Sequence, residues 1–128
     1  MNYPYDAIPD RVRAMSEAQL VAEERAANEA ITQMILDAGI HNPPRDTPQS
    51  LAAEIRLLET KLALSVRVRD ATVAEQMANE RVAGRPVTAE TEQIVRDLVD
   101  RSFSKDIDRA YSQLRSSRER LSRFSGSL

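Results

Sequence analysis

The sequence lacks cysteine and tryptophan altogether, and it has a single histidine, His41, among 128 residues. Without cysteine the chain can form no disulfide, zinc–thiolate site or iron–sulfur cluster, and it has no thiol nucleophile. One histidine cannot supply the clustered ligands that a metal site needs, and we expect His41 to be a solvated loop residue. We therefore expect no metal and no cofactor.

Catalytic motifs are absent as well. The sequence has no HExxH, no P-loop and no glycine-rich phosphate-binding turn, and it lacks the Glu-x-x-His pairs of di-iron bundles. Glu23 and Glu24 are adjacent, so on a helix their side chains would point in different directions. Glu54 and Glu59 are similarly mismatched. We expect no catalytic residue, no small-molecule substrate and no enzymatic activity.

Membrane and targeting signals are not found either. No apolar run approaches the roughly 18 residues of a membrane span. The first ten residues lack the basic and apolar regions of a signal peptide, and Asn2 stands where myristoylation requires glycine. We expect no membrane partner, and we expect the protein in the cytosol of a cell or of an infected cell.

Glycine and aromatic residues are scarce, with three glycines, three tyrosines and two phenylalanines. A chain with so few glycines is poorly suited to the many turns of a sheet protein. Because 41% of the residues are hydrophobic and recur at regular spacing, the chain can build an aliphatic core, unlike a disordered chain. The composition therefore favours long helices.

Helix-boundary signals divide the chain clearly. Ser16 and Gln19 form a capping-box pattern, Gly39 suits the left-handed position after a helix, and Thr47 followed by Pro48 is a strong helix start. A loop is expected at 40–47, and a stop at Gly84 before the next cap. These signals predict one helical domain over 16–124, with helices at about 17–38, 48–83 and 89–124 and a frayed end at 125–128.

Apolar periodicity predicts how these helices pack. The third helix has a heptad from Phe103 to Phe124 in steps of four and three, which is typical of coiled coils. The second helix carries two apolar stripes, which indicates neighbours on two sides. We therefore predict an all-α fold: an antiparallel three-helix bundle dominated by a long, coiled-coil-like hairpin of two helices. The resemblance to coiled coils is architectural and implies no activity.

The closed tip of this hairpin is the first candidate for a working surface. The first helix would span roughly 33 Å and the second roughly 54 Å, so the first cannot cover the whole hairpin. The tip must be covered by the N-terminal residues, by a second copy of the chain or by a partner. Its apolar residues are Val73, Met77, Val82, Ile94 and Leu98.

The N-terminal residues are the second candidate. Pro4 and Pro9 forbid a continuous helix over residues 1–15, which predicts an extended arm. Tyrosine is enriched at protein interfaces because it buries a large area while keeping a polar end. Tyr3, Tyr5 and Ile8 are therefore candidates for a protein-binding arm, although they could equally pack on the protein's own hairpin.

A basic C-terminal segment is the third candidate. Residues 109–128 contain five arginines against Glu119 alone. Such cations can contact the phosphates of nucleic acid. They can also complement the dipole at a helix C-terminus or pair with an acidic neighbouring helix. The arginines are Arg109, Arg115, Arg118, Arg120 and Arg123.

Taken together, these features predict a non-enzymatic helical protein that binds another protein or self-associates. It could be a small component of a larger assembly such as a phage particle. One alternative is a nucleic-acid-associated protein that uses the basic C-terminal helix. Another is a small regulator or inhibitor that docks on an enzyme through the hairpin tip. Nucleic acid is the less favoured partner.

Overall fold

The computed structural model describes residues 3–39 and 46–126, and all regular structure in these ranges is helical, with no strand. The predicted all-α class is confirmed. His41 and the rest of the loop at 40–45 lie outside the described residues. The elements are a 3-10 turn at Tyr5–Ala7 and four helices, α1 at Asp10–Arg13, α2 at Glu17–Ala38, α3 at Pro48–Val82 and α4 at Ala89–Gly126.

Local capping explains where the long helices begin and end. The Oγ of Ser16 accepts a hydrogen bond from the Gln19 amide at 3.1 Å, and the Gln19 side chain accepts one from the Ser16 amide at 2.7 Å. Thr47 and Ser50 form the same reciprocal pair at the start of α3. Gly39 and Gly84 have φ of 90° and 74°, which other residues rarely adopt.

α4 extends through Gly126, two residues beyond the predicted helix end at 124. No proline follows Phe124 to interrupt the helix, and a glycine at the last position costs much less than one in a helix interior. Residues 127 and 128 lie outside the described ranges.

α3 and α4 pack against each other in opposite directions. Arg69 of α3 lies 3.7 Å from Asp100 of α4, whereas Glu59, further back along α3, lies 2.7 Å from Arg118, further along α4. Leu62 of α3 is fully buried at the interface between the two helices. We call this arrangement the α3–α4 pair, and we call the end where α3 leads into α4 its tip.

α2 packs mainly on α3 rather than on α4. Leu20 of α2 is fully buried and joins the main core, and burial of such a side chain contributes roughly 1.5–3 kcal/mol. Arg56 of α3 donates a hydrogen bond to Glu23 of α2, which holds the pKa of that carboxyl below its ordinary value. α2 therefore rests against the outer side of α3.

The predicted extended arm is wrong for residues 3–15, which we call the N-terminal segment. It folds into the 3-10 turn and α1, and it fills the groove between α3 and α4. Pro4 and Pro9 stand at the N-cap positions of these two short elements, where proline's missing N–H leaves no helical hydrogen bond unmade. Ile8 is 4% exposed and Val12 is 1% exposed, because both pack into the main core.

Candidate protein-binding surface

The α3–α4 pair has two sides that differ in what covers them. On the covered side, the N-terminal segment packs over core residues such as Leu62 and Ile107. On the open side, the two helices form a groove of about 500 Å³ near the tip. The groove is lined by Thr72, Gln76, Ile94, Leu98 and Ser102, among others.

On the covered side, tyrosines fix the N-terminal segment in place. The Tyr5 hydroxyl donates to Asp70 at 2.6 Å and accepts from the Arg69 guanidinium at 3.0 Å. Burial and the hydrogen bond to Asp70 raise the pKa of Tyr5 above 10.0. Tyr111 of α4 donates to Asp6 at 2.8 Å, which raises the pKa of Tyr111.

A buried carboxylate joins three elements on the same side. Glu59 of α3 is 4% exposed. It accepts from Arg11 of α1 at 2.8 Å and from Arg118 of α4 at 2.7 Å. Arg118 also donates to the backbone oxygen of Ala7 at 2.8 Å. A buried charge is tolerated when it is paired and hydrogen-bonded in this way, so Glu59 holds the N-terminal segment against both long helices.

This contact was not predicted, although the sequence contains a signal for it. Glu59 interrupts the heptad spacing of Ile55, Leu62 and Val66 on α3. A carboxylate at an apolar position of a long helix needs a cation nearby. The basic C-terminal segment offered several candidate cations.

The three residues proposed as a protein-binding arm pack on the protein itself. Ile8 is in the core and Tyr5 is held by Asp70 and Arg69, so neither is available to a partner. Tyr3 stacks edge-on against Tyr111, with ring centroids 4.7 Å apart, and its hydroxyl donates to Asp108. Tyr3 alone retains substantial exposure, at 46%.

The five apolar residues proposed at the tip separate into two groups. Val73 and Met77 are 5% and 7% exposed, so the prediction that they need outside cover is wrong. They form a second core with Val99 of α4, because the two helices stay in contact as far as the tip and cover these residues themselves. Val87, Val95 and Phe103 complete this small core.

The other three tip residues are exposed to solvent. Ile94 and Leu98 are 55% and 58% exposed, and both line the open groove. Val82, the last residue of α3, is 88% exposed and is not among the residues that line this groove. Ile94 and Leu98 are four residues apart, so they lie side by side on one face of α4. The open side therefore carries a continuous apolar patch.

The basic C-terminal segment is largely engaged with the rest of the chain. Arg118 pairs with Glu59, and Arg120 pairs with Asp46 and Glu54. Arg123 pairs with Glu119 on the exposed surface at 3.5 Å. The other two arginines are not in these ion pairs. The Cζ of Arg115 lies 5.8 Å from the centroid of the Tyr111 ring, and Arg109 is exposed.

A larger cavity, of about 1090 Å³, lies at the other end of the α3–α4 pair. Apolar residues of α2 and α3, including Ile31, Met34 and Leu57, form one wall of it. Ala38 and Asp46 also line the cavity, and residues 40–45, between them in the sequence, lie outside the described ranges. We therefore assign no site to it.

No protein family, curated protein or solved structure matches the chain. Within residues 3–39 and 46–126, no three His, Cys, Asp or Glu side chains are grouped so that they could hold a metal ion. No helix in those ranges combines the length and apolar character needed to cross a membrane. The exposed apolar residues Ile94 and Leu98, which lie together in the groove near the tip, form the candidate site.

Proposed function

We propose that this protein is a non-enzymatic helical interaction module that binds another polypeptide chain through the open side of the α3–α4 pair. In this proposal the α3–α4 pair is a coiled-coil-like hairpin. α2 and the N-terminal segment pack against it and stabilise it as parts of one antiparallel bundle. The observation that carries the proposal is the exposure of Ile94 and Leu98 together in a groove that the described chain leaves uncovered.

Solvation and shape both support a helical partner. Single exposed aliphatic residues are common on protein surfaces, but contiguous apolar patches with polar rims mark interaction sites. The polar residues that line the groove are Thr72, Gln76, Glu80, Thr91 and Ser102. A groove between two parallel ridges of side chains accepts the apolar face of an amphipathic helix.

A role as a small component of a larger assembly, such as a phage particle in a host cytoplasm, is one concrete form of this proposal. A small regulator that docks on an enzyme would use the same patch. The two forms differ in stoichiometry. A regulator forms a one-to-one complex with its target, whereas an assembly component is present in many copies.

Affinity capture from the native source tests the proposal. We expect wild-type protein to retain a partner that I94D/L98D loses, because two buried carboxylates would disrupt an apolar contact. V82D is the control: it places a single Asp on an exposed aliphatic residue outside the groove, and it should retain the partner. Circular dichroism should show equal helicity in all three proteins. Equal capture by I94D/L98D and wild type would contradict the proposal.

Nucleic-acid binding has one observation in its favour. Arg101, Lys105 and Arg109 are exposed at steps of four along α4, so three cations lie along one strip of the helix. Exposed acids nearby on the same helix, such as Asp97, would repel phosphate. We therefore propose it as the second candidate, and salt-dependent mobility shifts of short duplexes, weakened by R109A, would test it.

A further inference from the structure

We infer that residues 71–99, at the tip of the α3–α4 pair, open as a unit of their own while the rest of the fold stays closed. We call these residues the tip unit. Most of the open groove belongs to the tip unit, so opening removes the groove and closing restores it. This control over the groove rests on the proposed function, whereas the opening itself does not.

The two cores of the protein differ in how they are built. The main core takes buried side chains from all four helices. The small second core, which we call the tip core, has the buried residues Val73, Met77 and Val99, and these come from α3 and α4 alone. Phe103, which is partly buried, packs against both cores. Because burial of apolar side chains is the main force that holds a fold together, the tip unit is held less firmly than the rest.

Polar contacts between α3 and α4 also stop short of the tip unit. Arg69 of α3 and Asp100 of α4, 3.7 Å apart, form the ion pair between the helices that lies nearest to the tip. Another such pair, Glu59 with Arg118, lies well away from it. The structure describes all of residues 71–99, and among them no ion pair or side-chain hydrogen bond joins α3 to α4. The tip core is therefore the main link between the helices there.

α2 and the N-terminal segment support the α3–α4 pair away from its tip. The end of α2 at Ala38 lies by the start of α3 at Thr47, since both line one cavity. α2 has 22 residues and α3 has 35, so α2 stops roughly 20 Å before the tip end of α3. Among the described residues, the N-terminal segment forms no hydrogen bond with α3 beyond Asp70. Short helices without tertiary packing are only marginally stable.

These features together make the tip unit a separately opening part of the fold. Regions with little apolar burial and much exposed backbone open at a lower free energy than the whole protein unfolds. The groove is lined by Gln76 of α3 and by Ile94 and Leu98 of α4, all within the tip unit. The groove therefore exists only while the tip unit is closed. A partner that binds in the groove would in turn hold the tip unit closed.

Amide hydrogen exchange of the wild-type protein tests the inference. We expect the amides at 73–77 and 94–99 to share one protection factor, roughly a hundredfold lower than that of the amides at 58–66 and 107–114. Exchange in the tip unit should also respond less to added urea, because local opening exposes less surface than global unfolding. Mass spectrometry or NMR at neutral pH measures both quantities.

Two buried-core variants sharpen the test. Ile107 is 2% exposed in the main core, which stays closed when the tip unit opens. I107V should therefore speed exchange in the main core about fivefold and leave exchange in the tip unit unchanged. Met77 is 7% exposed in the tip core and does not line the groove. M77A should speed exchange in both regions about thirtyfold, because it destabilises the closed state relative to every open one. E75A, at an exposed position two residues away, is the control and should change exchange by no more than about twofold.

Three results would overturn the inference. They are equal protection in the two regions, protection that rises gradually from the loop at Gly84 with no shared value, and an I107V protein whose tip unit exchanges faster to the same extent as its main core. The wild-type measurement decides the first two without any variant. If exchange is uniform but I94D/L98D still loses a captured partner, the proposed function stands without the inference. If the tip unit opens separately but I94D/L98D keeps the partner, the proposed function fails and the opening stands.

Discussion

The two sides of the α3–α4 pair are built from the same helices but differ in how much of their apolar surface is buried. On the covered side, Ile8 and Val12 of the N-terminal segment are 4% and 1% exposed and seal the core. On the open side, Ile94 and Leu98 are more than half exposed. Apolar spacing along a helix therefore shows which faces need cover, whereas the contacts that hold the N-terminal segment in place, such as those of Tyr5 and Glu59, join residues far apart in the sequence.

The largest expected difference in the free energy of unfolding is between substitution of a buried leucine and substitution of a leucine on the open side. Leu114 is fully buried and Leu98 is 58% exposed, both on α4. L114A should lower the free energy of unfolding by about 3 kcal/mol, because it removes buried methyl groups and leaves a cavity. L98A should change it by about 0.5 kcal/mol or less. Urea denaturation at low protein concentration measures both, and equal losses would contradict the distinction between the sides.

A smaller loss in the free energy of unfolding is expected when the buried carboxylate of Glu59 is neutralised. E59Q leaves Arg11 and Arg118 without their shared anion. Breaking a fully buried pair costs about 3–5 kcal/mol, but these arginines are 59% and 37% exposed, so water screens part of the loss and we expect about 2 kcal/mol. E119Q is the matched control, since the Glu119–Arg123 pair is exposed and should contribute about 0.5 kcal/mol or less. A comparable effect of E119Q in chemical denaturation would argue against a special role for Glu59.

The smallest effect concerns the Tyr5 hydroxyl and depends on pH. Y5F should cost about 1 kcal/mol at neutral pH, since it removes two hydrogen bonds from a partly exposed group. The folded state raises the pKa of Tyr5 above 10.0, so its contribution is complete below pH 10 and is lost as pH rises through the raised pKa. The stability difference between wild type and Y5F should therefore be constant well below pH 10.0 and shrink as pH rises above it. A difference that stays constant would show that the Tyr5 hydroxyl does not stabilise the fold in its protonated form.

The sequence predicted the long helices well because their ends depend on local chemistry. The reciprocal bonds at Ser16 and at Thr47 involve residues three apart, and Gly39 and Gly84 meet a conformational need that glycine serves best. None of these features requires knowledge of distant residues. Local sequence alone was therefore enough to predict where α2 and α3 begin and end.

The N-terminal segment was harder to predict because its structure depends on distant residues. Pro4 and Pro9 rule out one long helix, but they permit two short helical elements that only the groove between α3 and α4 stabilises. The burial of Val73 and Met77 was not predicted, for a related reason. Their burial depends on Val99, which lies more than twenty residues away in the sequence and reaches them only because α4 folds back on α3.

The candidate site was predicted only in part. Ile94 and Leu98 were identified from spacing alone, and the structure leaves both exposed. Arg118, which the sequence offered as a nucleic-acid contact, is instead bound to Glu59, a pairing that periodicity within one helix cannot reveal.

The position of the N-terminal segment also has a consequence for the order of events during synthesis. Its contacts join residues that are far apart in the sequence, as in Tyr111 with Asp6 and Arg118 with Ala7, 105 and 111 residues apart. Half of the groove that holds it is made of α4, so that groove does not exist until α4 has left the ribosome. Contacts this distant close slowly. The N-terminal segment is made before α4 but is therefore among the last parts of this fold to reach its final place.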